Sequence, residues 1–286
     1  MKEIEFKNTD EIKLKKFLLG KNISNRAYKK IIKDSIFVND KKVVTNIDLH
    51  PKDSIKIIIK DEKLNYEPIN KKIKILYEDE DILAVEKNAN LTVNSKGQEN
   101  LSNYIAYYFK ENNIKSQVRL INRLDMNTSG IMLIAKNPYS QAYYQKLIEK
   151  NEFDKEYLAL VEGKLIIDEI ICKNIEYDEK NKKMKIKDGG DFIKTYFKTL
   201  KSYDKYSLIY CKIFTGKTHQ IRISLKSLNH PIIGDELYGS KYKLDRFLLH
   251  SFRMSFKKFR NGEKITILSR PDFDKYLNSN TFRNVL

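Results

Sequence analysis

From Phe192 to Gly216 the chain reads FIKTYFKTLKSYDKYSLIYCKIFTG, two strand-like runs rich in β-branched and aromatic residues around a short polar connection. Such runs suit a pleated, half-buried surface. A connection this short returns the second strand antiparallel to the first, because a parallel return needs a crossover of a dozen or more residues. The pattern recurs along the chain. IKILYEDEDILAVEKN reads as strand, acidic turn and strand, and IMLIA, KEYLALVEG and KITIL are further strand-like segments. LSNYIAYYFKENN and SQAYYQKLIEKN show helical apolar spacing instead. Strands outnumber helices and hairpin turns are frequent. The expected fold is therefore α+β, with a mixed, largely antiparallel β-sheet and flanking helices over residues 73–286.

The first sixty residues read as a separate small α/β-hairpin unit. Ser24 is placed to cap a helix, since its hydroxyl can take an orphan backbone N–H. Arg26, Lys29, Lys30 and Lys33 then recur at i, i+3, i+4 and i+7, four cations on one helical face. A solvated surface helix shows the same stripe, but without an acid on it the stripe favours an anionic partner. SIFVNDKKVVTN gives two β-branched runs around a turn, and HPKDSIKIIIK gives a Pro/Asp turn and another strand. Residues 61–72, DEKLNYEPINKK, are polar and read as a linker.

Charge bears on partners. The 286 residues carry a net charge of +17, which favours polyanions through counterion release from phosphates. Residues 1–60 hold 15 Lys and Arg against 8 Asp and Glu, about two-fifths of that excess. A general bias toward Lys, Ile and Asn accounts for part of it. With 41% hydrophobic and 33% charged residues the chain is globular rather than disordered. No apolar run approaches the roughly 18 residues of a membrane helix, and the N-terminal stretch has acids and no continuous apolar core, unlike a signal peptide. Cys172 and Cys211 lack CxxC spacing, and His50, His219, His230 and His250 lack ligand spacing with Cys or acids, so no metal site is expected. A reduced, cytoplasmic protein without membrane attachment follows as the expectation.

Three stretches carry residue types beyond what folding needs. RLINRLDMNTSGIMLIAKN, Arg119–Asn137, places Arg123 and Asp125 on a turn already supplied with Thr128, Ser129 and Gly130. An Asx-turn is one reading of Asp125. IYCKIFTGKTHQIRISLKSLNHPIIGDELYG follows, with Thr218 expected to cap a helix whose apolar face holds Ile221, Leu225 and Leu228. Arg222 lies near that helix's first turns, where a cation opposes the helix dipole. It therefore answers either a surface role or a specific anion, such as Asp125 or an RNA phosphate. The dense loop HPIIGDELYG is long enough to line a site. KEYLALVEG opens a strand with Tyr157 beside Lys155. No GxGxxG, Walker loop or GxSxG occurs.

Taken in order, NRLDMNTSGIMLIAKN, KEYLALVEG, TGKTHQIRISL, HPIIGDELYG and LLHSFRMSF resemble the RluA-type pseudouridine synthases over residues 73–270. Residues 12–60 resemble the small RNA-binding domain named after small-subunit ribosomal protein four, a common companion of that family. The resemblance implies isomerisation of uridine to pseudouridine in structured RNA, without cofactor or metal. It implies that Asp125 is catalytic, that Tyr157 stacks on the target base and serves in proton transfer, and that Arg222 pairs with Asp125. Arg123 would help hold the target nucleotide flipped out, and Lys217, His219 and Gln220 would contact RNA, as would Arg26, Lys29, Lys30 and Lys33 on the N-terminal unit. Ribosomal RNA of the large subunit is favoured, transfer RNA is the alternative, and a monomer is expected.

The residue types suit the reaction. A carboxylate can attack the sugar or manage its cationic character, as in glycosidases. An arginine positions that carboxylate, and an aromatic ring gives the detached base a platform. The target must leave its stack to reach such a pocket. Departures from the family pattern are Asn122 where His often precedes RLD, Lys217 for Arg, RISL for RVHL, and the worn segment EKNANLTVNS at 86–95. A non-catalytic RNA-binding protein on this scaffold is the main alternative, against which the intact RLD, Tyr and QIR set argues. A DNA-binding protein has no helix-turn-helix or zinc-finger pattern behind it.

Overall fold

A computed structural model describes residues 2–95 and 97–277; residue 1 of the expected N-terminal unit and residues 278–286 of the expected catalytic domain lie outside the described residues. The N-terminal unit consists of β1 (Lys2–Lys7), β2 (Ile12–Lys13), α1 (Leu14–Gly20), α2 (Asn25–Ile31), β3 (Ile36–Val38), β4 (Lys41–Lys42), β5 (Asp48–Leu49) and β6 (Ser54–Ile59). Four strands form an antiparallel sheet in the order β1-β6-β3-β4, and β2 pairs β5. Asn39 and Asp40, both at positive φ, turn β3 into β4, as a two-residue hairpin requires. The Ser24 hydroxyl does cap α2, accepting from the Ala27 N–H at 3.1 Å. The helix stops at Ile31, so Lys33 sits in the turn beyond it rather than on the helical stripe; all four cations are nonetheless exposed. Tyr28 and Ile31 form the buried side of α2, with Ala27 only half-buried.

Residues 61–73 hold no helix or strand, yet they are strapped to the body. Glu62 takes the buried Arg119 guanidinium at 2.5 Å. Asn65 pairs with both backbone groups of Val118, and the Asn103 amide donates to the Glu67 carbonyl at 2.8 Å.

The large unit begins with β7 (Lys74–Glu78), β8 (Ile82–Lys87), α3 (Leu101–Glu111), β9 (Arg119–Leu120), β10 (Ser129–Ala135), α4 (Pro138–Glu149) and β11 (Asp154–Glu162). It continues with β12 (Asp168–Asp178), β13 (Lys183–Ile186), β14 (Asp191–Ser202), β15 (Tyr206–Ile213), α5 (Gln220–Ser227), a 3₁₀ turn at Glu236–Tyr238, β16 (Leu249–Lys257), β17 (Lys264–Leu268) and α6 (Asp274–Leu277). The strands form one eleven-stranded sheet, β13-β12-β14-β15-β11-β16-β10-β8-β7, with β17 added to β16 and β9 to β10. Its pairings are antiparallel except one: β10 runs parallel to β16 at Ser129–His250 and Gly130–Ser251. The mixed, largely antiparallel α+β architecture is thus as expected.

Each β10 residue is buried, because both faces of this strand are covered. Ile131, Leu133 and Ala135 pack toward α4 with Tyr144 and Leu147; Met132 and Ile134 pack toward α3 with Ile105 and Phe109. That explains why IMLIA is uninterrupted rather than alternating. The N-terminal unit rests on the α4 side, with Phe6 edge-on to Phe259 at 5.6 Å and Arg260 donating to the Glu3 carbonyl at 3.0 Å. Among the described residues no helix is long and apolar enough to cross a membrane.

Candidate active site

The turn between β9 and β10 is held from three directions. Asn122, 8% exposed, donates to the Ile131 carbonyl at 3.1 Å and accepts from the Leu133 N–H at 2.8 Å, clasping the loop to its own strand. Its side-chain amide is thus engaged by backbone at both ends. Lys87 is fully buried, and its ammonium donates to the carbonyls of Asn88 (2.8 Å), Leu91 (2.8 Å) and Met126 (2.7 Å). Burial, outweighing the nearby Asp125 carboxylate, pushes its pKa down to about 7. On the far side, Ser129 shares a 2.8 Å hydrogen bond with His250 Nδ1, and His250 Nε2 meets Ser269. Burial lowers the His250 pKa to about 4, so the ring is neutral at physiological pH.

Gly130 completes the turn. Its φ is +112°, and a Cβ there would lie 2.2 Å from the Ser251 carbonyl oxygen, so only glycine lets β16 approach in parallel.

Asp125 stands on this loop with its side chain 29% exposed. Arg222 Nη1 donates to its Oδ2 at 3.1 Å, joining residues 97 apart in sequence. Arg222 is 5% exposed, which excludes the surface reading of this residue. Its principal partner is Asp235, which accepts from Nε at 2.7 Å and Nη2 at 2.8 Å in a bidentate pair. The guanidinium also lies 4.3 Å from the Phe247 ring centroid and 5.0 Å from that of Tyr238. A charge this buried needs such a fork-to-fork partner. In the sequence Asp235 is only one polar residue of the HPIIGDELYG loop, with nothing to mark it out.

The helix carrying Arg222 starts differently from expectation. Thr218 does not cap it: His219, in the left-handed region at φ 54°, occupies the cap position, and no side chain caps it. The loop is secured instead by Gln220, 3% exposed, which accepts from Thr215 Oγ1 and the Lys217 N–H and donates to the Lys194 carbonyl and Thr195 Oγ1. Its amide anchors the loop and has little left for RNA. Ile221 and Leu225 are buried and Leu228 half-buried, as the apolar spacing predicts. His219 Nδ1 lies 3.0 Å from the Tyr238 hydroxyl, and Nε2 lies 3.9 Å from Asp125 Oδ2. Burial, with the Arg222 charge adding to it, lowers the pKa of this histidine.

A cleft of about 470 Å³ opens on one side of Asp125. Tyr157, Lys155, Arg123, Leu249 and Thr218 are among its walls. Tyr157 is 6% exposed, and burial, reinforced by the Asp125 charge, raises its hydroxyl well above the ordinary tyrosine range, so it keeps its proton. Arg123 is exposed on the rim, and among the described residues no acid pairs with it. Lys217, also exposed, pairs with Asp191 at 2.9 Å. A second cleft of about 430 Å³ lies on the other side, again bordered by Asp125, His219 and Arg222, and closed by residues 234–237 and 244–247. The structure therefore gathers Asp125, Tyr157, Arg222, Arg123, Lys217, His219 and Gln220 around one cleft. Arg26, Lys29, Lys30 and Lys33 belong to the separate N-terminal unit.

The chain is similar to known proteins that share one family description. The profile of the RNA pseudouridylate synthase family matches residues 81–227. An uncharacterized RNA pseudouridine synthase of Bacillus subtilis is 34% identical over 240 residues, covering 79% of this chain and 80% of its own. A ribosomal large subunit pseudouridine synthase C of Buchnera aphidicola is 30% identical, covering 88% and 87% respectively. The structure of human RNA pseudouridylate synthase domain containing 1 shares the fold, with a TM-score of 0.61 at 23% identity over 71% of this chain and 84% of the human one.

Proposed function

The chain belongs to the RNA pseudouridylate synthase family, of the RluA type, and is an isomerase; from that premise we propose that Asp125, Tyr157 and Arg222 carry the conversion of specific uridines in large-subunit ribosomal RNA. The observation that supports it most is the Asp125–Arg222 pair at 3.1 Å on the wall of a cleft that also holds Tyr157. Asp125 faces the ribose C1′ and meets its electron deficit as the glycosidic bond breaks. Arg222, itself locked by Asp235, holds the carboxylate at that point. Tyr157 offers a buried ring as platform for the freed uracil and a protonated hydroxyl as donor.

Entry into a cleft of this depth requires the nucleotide to be extruded from its stack. Arg123, exposed on the rim, occupies the vacated space in the RNA, with Lys217 and His219 following the backbone. Gln220 contributes by holding that loop. Residues 1–60 form the RNA-binding domain, with Arg26, Lys29, Lys30 and Lys33 on phosphates; residues 61–72 join it to the catalytic domain, and the protein acts as a monomer. Large-subunit ribosomal RNA is preferred over transfer RNA because relatives such as the Buchnera protein carry that name over most of their length.

The test is pseudouridine mapping of ribosomal and transfer RNA in a deletion strain complemented with wild type or Asp125→Asn. A site lost on deletion, restored by wild type and not by Asp125→Asn is the expected result. Restoration by Asp125→Asn would remove Asp125 from the chemistry.

A further inference from the structure

Lys155 has no role in the reaction as derived so far, and its surroundings are unusual. It is 9% exposed and lines the cleft beside Asp125. Its neighbours in the β11–β15 ladder run without a break, Lys155 opposite Ile213 and Tyr157 opposite Cys211, so the two side chains stand on the same face of β11. Ile213, opposite, lines the same cleft. The ammonium closes in on the Thr215–Lys217 loop, 3.6 Å from where a Cβ on Gly216 would sit.

What the amine lacks is a partner. Among the described residues no carboxylate pairs with Lys155 and no carbonyl or hydroxyl accepts from it, whereas the fully buried Lys87 donates to three carbonyls. Asp154 and Glu156, its chain neighbours, are taken by Lys212 and Arg253. The Lys155 stem is buried while the ammonium meets the cleft, and a charge taken partly out of water without a protein partner is poorly compensated. Burial alone lowers its pKa, with no opposing acid. A site that keeps such a group receives the missing charge from what binds there.

We propose that Lys155 is a catalytic residue that stabilises the uracil anion released when the glycosidic bond breaks. The proposal rests on the reading of the cleft given above. When C1′–N1 cleaves, the electron pair leaves with the base, giving a uracil monoanion delocalised over N1, O2 and O4, while the Asp125 carboxylate meets the deficit at C1′. After rotation C5 returns an electron pair to C1′ and frees the carboxylate. One proton leaves C5 and one is gained at N1, both exchanged with water in the open cleft, so the step is a net isomerisation without oxidant or co-reactant. An ammonium on the cleft wall, beside the ring platform of Tyr157, acts where that charge develops and not in the neutral ground state.

The deciding experiment compares wild type, Lys155→Gln and Lys155→Arg in single-turnover reactions on an RNA hairpin bearing uridine or 5-fluorouridine, following loss of the starting nucleoside. Fluorine makes the departing base a better leaving group, which has less need of a cation. Lys155→Gln is expected to slow the uridine reaction by ~10²–10³-fold, as loss of one charge-stabilising donor does, and the fluorouridine reaction at least tenfold less, with RNA affinity unchanged. Lys155→Arg is expected to retain most of the rate. Equal losses on both substrates, no loss at all, or a loss confined to RNA affinity would each overturn the proposal. Should Lys155→Gln not fold, Lys155→Met carries the same comparison. Asp125→Asn, run alongside, separates the two ideas: if it remains active the reading of the cleft fails, whatever Lys155 does.

Discussion

The Asp125 loop and helix α2 both present polar groups suited to RNA, and they are held in opposite ways. Around Asp125 every supporting side chain is buried and committed: Asn122 to backbone, Lys87 to three carbonyls, Arg222 to two aspartates. On α2 and the turn after it the four cations are exposed and, among the described residues, form no ion pair. Chemistry needs geometry fixed in advance, whereas attraction to a polyanion needs only charge that can follow it. One region is built to be rigid, the other to be adaptable.

The comparison breaks first at Asp125. Asp125→Asn keeps the size and the hydrogen-bonding capacity toward Arg222, so it should cost at least ~10³-fold in single-turnover rate while leaving RNA affinity within a few-fold, as expected for a group that acts on the reacting bond. A matching loss of affinity, by filter binding, would make the loop a binding element, the role proposed for α2. Next comes Asp235→Ala, which strands a buried guanidinium. A loss of about 3–5 kcal/mol in denaturant unfolding is expected, and activity should fall with it. A loss below about 1 kcal/mol would mean that the site is not pre-tensioned by this pair.

Lys87 sharpens the contrast through pH. Its folded pKa lies near 7 against an ordinary value of 10.5, so the unfolded chain binds more protons than the native one between those values. Stability contributed through this group therefore rises with pH across pH 7–10, by at most about 1.4 kcal/mol per unit. Measured as the difference between wild type and Lys87→Met, the rise should be present; a flat difference would show that the ammonium keeps its ordinary pKa in the fold. The smallest effect is expected at α2. Replacing Arg26, Lys29, Lys30 and Lys33 by glutamine should reduce the slope of log affinity against log salt by roughly 0.7–0.9 for each phosphate no longer neutralised, with the deficit lying in affinity rather than in the rate at saturating RNA. An unaltered slope would remove α2 from the RNA-binding surface.

Much of the fold is legible because two covered layers impose period two or uninterrupted apolar runs, as in β14, β15 and β10. The edge strand β13 and its neighbour β12 escape such a reading: their exposed positions alternate charge with Ile170, Tyr177 and Ile186, so no clean pattern survives. At the site, Asp125, Tyr157 and Arg222 are recognisable through ordered motifs rather than through local physics. Asp235 and Lys87 are not, because their meaning comes from partners far along the chain, Arg222 for one and the Met126 carbonyl for the other. The cap expected at Thr218 falls one residue later because a non-glycine residue, His219, takes the left-handed position, which spacing does not signal. Asn122, an apparent departure from the motif, is accounted for by its clasp on Ile131 and Leu133.

The parallel junction, Ser129–Gly130 against His250–Ser251, also bears on the order in which the cleft around Asp125 is assembled. The two halves of that junction are separated in the chain by β11–β15, so closing it demands a long chain loop and raises the contact order of the fold. During synthesis the Asp125 turn emerges well before α5, the Asp235 loop and β16. A nascent chain can thus build its N-terminal unit early while the Asp125 carboxylate still lacks both anchor and neighbour. The surroundings of Asp125 are then complete only when α5, the Asp235 loop and β16 are in place, a property of the finished molecule rather than of any single segment.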